Sequence, residues 1–224
     1  MPEQDRTTEF AVRDCALIAI ATGERAETLK ELRDTLVRID RASVFHHVWG
    51  GLLGARFGER EYHNDFAGWA RHGLHDRKLA ERLAMVDPTT SADLDDLRRD
   101  LVEIIEDRLD ESEALPWVRA TQRFHFIRSQ IVVFDTRIRC RTPEEMAERI
   151  PILSPSSLFY HFIDARRRSL DGSDDLRSWL ASFGPRVEGL RRALAELDPY
   201  FVSLVELRDE VARVFRRHVD GEDA

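Results

Sequence analysis

Lysine is nearly missing from this chain. Lys30 and Lys78 are the only two, and arginine supplies the rest of the 34 basic residues. Arginine is the better bidentate partner for carboxylate or phosphate, but a GC-rich genome is the plainer and preferred explanation of the bias. Cysteine is as scarce. Cys15 and Cys140 stand alone with no C-x-x-C spacing, so nothing suggests a disulfide scaffold or a zinc site. Long apolar runs are absent too. The longest, Cys15 to Ala21, is far too short to cross a bilayer, and the opening Met1 to Arg6 lacks signal-peptide character. The expectation is a cytoplasmic protein that does not enter the membrane. Net positive charge is also missing. The balance is −8, and all of it sits in residues 1–112, where 16 basic residues face 24 acidic ones. No nucleic-acid partner is therefore expected. Catalytic signatures are missing as well: there is no G-x-S-x-G elbow, no H-E-x-x-H and no phosphate loop.

What is present is a globular composition, 42% hydrophobic and 34% charged, with an internal repeat. Phe10 to Thr22 aligns with Phe124 to Thr136 without a gap. The same spacing relates Thr28 to Thr142, and Ser43-Val-Phe-His-His47 to Ser157-Leu-Phe-Tyr-His161. After a short deletion Asp65 and Trp69 face Asp175 and Trp179, and Leu97-Arg98 faces Leu207-Arg208. The domains expected are a first repeat over 10–110, a linker over 111–123 and a second repeat over 124–219, packed as one globular unit.

Each repeat opens on a strand, Cys15 to Ala21 in the first and the β-branched and aromatic Phe124 to Phe134 in the second. A helix follows behind a capping box, Thr28 with Glu31 and Thr142 with Glu145. A second helix starts near Asp40 and near Ser154-Pro155. A third carries the tryptophan and runs to the Asp-Pro stop. A fourth buries Leu94, Leu97, Leu101, Ile104 and Ile105, matched by Leu204, Leu207, Val211, Val214 and Phe215. The fold class expected is α+β, predominantly helical, with two β-α-α-α-α halves related by a pseudo-two-fold axis. The two strands should pair with each other, or each should fold back as a hairpin.

The polar residues shared by both repeats are the candidates for function. Ser43 and His47 lie four apart on one helical face, and so do Ser157 and His161, whose face continues through Asp164 and Arg168. These six form the candidate ligand-binding set. The plainer reading has each Ser and His hydrogen-bonding the backbone at the seam between repeats. Histidines crowd the first repeat, at His46, His47, His63, His72 and His75, and Glu59 lies four before His63. They do not form a recognisable ligand motif, so no metal or other cofactor is expected. Gly50-Gly51 and Gly54 read as close helix packing, and Trp69 and Trp179 as core anchors.

These motifs resemble an uncharacterised prokaryotic domain-of-unknown-function family with tandem halves. Its S-x-F-x-H pattern corresponds to Ser43 to His47, its N-D-F-x-x-W to Asn64 to Trp69, and its L-R to Leu97-Arg98. Its second-half pattern S-L-[YF]-x-H-x-x-E-A-R-x-R corresponds to Ser157 to Arg168, with Asp164 in place of the glutamate. The resemblance implies no assigned activity. Two functions follow from the residues. The first is a soluble, non-enzymatic binding, scaffold or regulatory module whose partner is a protein or a small anionic ligand. The alternative is an enzyme acting at the seam on a small polar or phosphorylated substrate, sugar-related ones included.

Overall fold

A computed structural model describes residues 9–53, 61–169 and 171–221. The architecture is α+β and mostly helical. Two long strands, β1 (Phe10–Thr28) and β2 (Arg119–Cys140), pair in a two-stranded sheet. Val12 meets Thr136 and Thr22 meets Phe126, so the pairing is antiparallel. Both strands run beyond their apolar segments into charged residues, all of which are exposed or half-buried.

Each strand carries one left-handed residue, Gly23 with φ 83° and Arg137 with φ 62°. The preceding threonine bridges the kink in both places. The Thr22 hydroxyl donates to the Phe126 carbonyl and accepts from Glu24 N–H; the Thr136 hydroxyl donates to Val12 and accepts from Ile138 N–H. Left-handed backbone costs a side-chain-bearing residue roughly 1–2 kcal/mol. A Cβ at Gly23 would meet nothing within 4 Å, so the cost there is conformational alone. Gly23→Ala is therefore expected to lower the urea midpoint by the equivalent of about 1 kcal/mol, and Arg137→Gly to raise it.

The chain divides into two compact units, and the boundary falls inside both strands. The first spans Leu17–Ile131. The second joins the residues up to Ala16 with those from Val132 onward.

In the first unit, α1 (Leu29–Arg38) starts at the Thr28/Glu31 capping box and α2 (Arg41–Trp49) at Asp40. α3 (Asp65–His72) is capped by Asn64, α4 (Arg77–Ala84) by Asp76 and α5 (Leu94–Asp110) by Asp93. Among the described residues the strand is thus followed by five α-helices, where four were expected. The expected third helix breaks between α3 and α4 because His75 turns left-handed at φ 58° and Asp76 caps a new start. A Cβ at Gly73 would sit 2.7 Å from the Trp69 ring, so the break is built around the tryptophan. Leu32, Leu36, Phe66, Leu83, Leu97, Leu101 and Ile105 form the core, whereas Leu94 and Ile104 are only half-buried. Arg98 caps the end of α1, donating to the carbonyls of Val37 and Ile39.

Lys78, Arg82 and Arg108 converge on Glu111. The hydrogen bond from Lys78 leads in holding its carboxyl at about 2, against an ordinary 4.5. A depressed carboxyl contributes stability that is complete above the unfolded value and fades as pH falls through the folded one. Urea midpoints of the wild type and Glu111→Gln are expected to differ at neutral pH and converge between pH 4.5 and about 2.

In the second unit, α6 (Pro143–Arg149) is capped by Thr142, and α7 (Pro155–Leu158) by Ser154. A π-helical stretch, Phe159–Asp164, links α7 to α8 (Ala165–Arg168). α9 (Asp175–Leu180), α10 (Glu188–Ala195) and α11 (Leu204–Val219) follow. Phe159, Phe162, Leu180, Leu190, Leu207 and Phe215 are all buried and form the core of this unit. No helix among the described residues is long and apolar enough to cross a membrane.

Candidate functional site

In the first unit, Asp40 starts α2 so that Ser43 and His47 lie one turn apart on a buried face. Both reach the same strand residue. Ser43 Oγ donates to the Ile127 carbonyl at 2.8 Å, and His47 Nε2 accepts from Ile127 N–H at 3.0 Å. On the ring's other side Nδ1 lies 2.9 Å from Asp65 Oδ2. A backbone N–H can only donate, so Nε2 must be unprotonated and the proton sits on Nδ1. His47 is a neutral bridge between a strand amide and a helix carboxylate, packed beside Phe124 and Phe66.

The second unit holds a matching bridge. His161 Nε2 accepts from Arg13 N–H at 2.8 Å, and Nδ1 lies 2.7 Å from Asp175 Oδ2. Its helix differs. The wide turns of the π-helical stretch carry His161, and such turns are frequent at functional sites. Ser157 does not grip the strand here. Its hydroxyl lies 3.0 Å from that of Ser154, which donates to Asp14. Asp164 is buried and neutralised by Arg167 and Arg168. Arg168 also reaches Asp175 at 3.1 Å and lies over the Tyr160 ring. Burial pushes the Asp175 carboxyl up, but the hydrogen bond to His161 and the neighbouring Arg168 guanidinium hold it below the ordinary value.

This arrangement limits the chemistry. A general base needs a lone pair that a substrate proton can reach, and both nitrogens of both histidines are occupied. Ser43 and Ser157 are buried. Burial pushes the Cys15 thiol up to about 12, and raises Cys140 also, so neither is a ready thiolate. His46, His47 and Asp65 do converge, their ligand atoms within 4.8 Å of one another. The donor set does not suit a metal. Coordination through His47 Nδ1 would move the proton to Nε2, against the N–H of Ile127, whereas ligating imidazoles donate their other nitrogen to an acceptor. His46 Nδ1 is 2.6 Å from Ser129 Oγ, and His72 pairs with Glu61. Gly54 and Glu59 lie outside the described residues.

Beside the second bridge lies a cleft of about 450 Å³, walled by Phe10, Arg13, Tyr160, His161, Arg168 and Trp179 among others. Of the candidate residues only His161 and Arg168 line it. Ser157 and Asp164 do not line it, and Ser43 and His47 belong to the first unit. Sequence reasoning passed over Arg13, Phe10 and Tyr160. The repeated Asp175 and Trp179 were the available signal, since both line the cleft.

A model of the Family of unknown function (DUF5752) matches residues 7–216. The chain belongs to that family. The DUF5752 match covers both bridges and the cleft. The solved structure of OrfY from Thermoproteus tenax is similar to this chain, with a TM-score of 0.83 at 27% identity over 95% of this chain and 96% of that one. No curated protein matches the chain.

Proposed function

We propose that this DUF5752 member is a non-enzymatic binding module, built by duplication, whose histidines fasten helices to strands. The observation that carries this reading is the occupation of both ring nitrogens in His47 and in His161. The duplication is supported by the partners: Ile127 and Arg13 stand in the same alignment as His47 and His161. Two buried, unbridged thiols suit action in the reducing cytoplasm. The cleft of the second unit supplies a place for a small ligand, and its size falls in the range of such sites, roughly 300–1,000 Å³.

The test compares His47→Ala with the wild type for melting temperature and for turnover of phosphate and acyl esters. The expected result is a large fall in melting temperature and no turnover by either protein. Turnover by the wild type that His47→Ala or His161→Ala abolishes, with melting unchanged, would contradict the reading.

A further inference from the structure

We propose that the cleft of the second unit binds a small organic phosphate, its anionic head on Arg13 and its apolar body against Trp179. This rests on the reading of the chain as a binding module. The argument is an inventory of which polar groups in the wall are already engaged. Both carboxylates are. Asp175 holds His161 and Arg168, and Glu9 lies 3.2 Å from Arg141. Among the described residues, the side chains of Arg13, Ser178 and Tyr160 have no hydrogen bond or ion pair. What the wall leaves available is therefore one guanidinium and two hydroxyls. That set offers charge and donors and calls for a ligand that brings negative charge and acceptors.

Arginine is the residue best shaped for phosphate, because its fork donates two parallel hydrogen bonds. Its place is fixed from behind. His161 holds the backbone N–H of Arg13 at 2.8 Å, and Asp175 orients His161 from the other side. The bridge in the first unit holds Ile127 instead, so only one of the two bridges presents a cation. The body of the ligand has its own wall. Phe10 and Trp179 meet edge to face at 5.4 Å, and both line the cleft together with Arg13.

Phenyl phosphate is the probe, with phenol as its neutral counterpart, titrated into the full chain by calorimetry. Saturable binding of phenyl phosphate is expected, weakening as salt rises. Arg13→Gln should weaken it about tenfold, the loss of one charge-assisted contact. Arg119→Gln, a change at an exposed residue of the first unit, should leave it unchanged. No saturable binding, unchanged affinity in Arg13→Gln, or equal affinity for phenol would overturn the proposal. Each of those results leaves the structural role of the histidines standing. Release of phenol from phenyl phosphate would do the opposite: it would contradict the non-enzymatic reading and keep the anion site.

Discussion

Replacing His47 with alanine is expected to lower the unfolding free energy by about 3 kcal/mol, or roughly 9 °C in melting temperature for a chain of this size. Three losses combine. The Ile127 N–H is left without its acceptor in a half-buried setting, which costs up to about 1–3 kcal/mol. Asp65 loses the donor on Nδ1. The ring also leaves a cavity among Phe66, Phe124 and Phe126, which partial collapse will not fill. Asp65→Asn separates these effects. An amide oxygen still accepts from Nδ1–H, so this variant should lose less than half as much. Equilibrium unfolding in urea measures both. A His47→Ala midpoint equal to that of the wild type would mean that the ring bears no structural load.

Leu101→Ala should cost about 2–5 kcal/mol, because the side chain is fully buried in the middle of α5. Ile104, three residues on, is half-buried and is the natural control. Its replacement by alanine should cost clearly less, since part of the side chain is already in water. Equal losses at the two positions would mean that α5 packs through a different face from the one described.

The helices were legible because their signals are local. Thr28 and Glu31, Asp40, Ser154 and Thr142 each mark a start within four residues, and the structure places a cap at every one. The stripe through Leu97, Leu101 and Ile105 was legible for the same reason: a period of 3.6 needs no distant partner. The break between α3 and α4 was not. It depends on Gly73 lying against Trp69 and on a left-handed His75, and neither alters the apolar pattern. The ends of the strands were hidden because Arg13 and Asp14, like Arg119 to Arg123, read as loop.

The site was half legible. Ser43, His47, Ser157 and His161 stood out because they recur, and so did Asp65 and Asp175. Nothing in the spacing joins His47 to Asp65 across the end of α2 and the start of α3; folding does that. Arg13 was harder to find. Its backbone is held like that of Ile127, but its side chain differs, so the comparison that shows the bridges conceals the cation.

The central claim is that His47 and His161 are neutral, Nδ1-protonated bridges to strand amides. It is tested most directly by nitrogen-15 NMR of the imidazole rings in the full chain. The account predicts a protonated Nδ1 and an unprotonated Nε2 in both residues. It also predicts scalar coupling across the hydrogen bond from Ile127 N–H to His47 Nε2, and from Arg13 N–H to His161 Nε2. A proton on Nε2, or rings that exchange between tautomers with no such coupling, would contradict it.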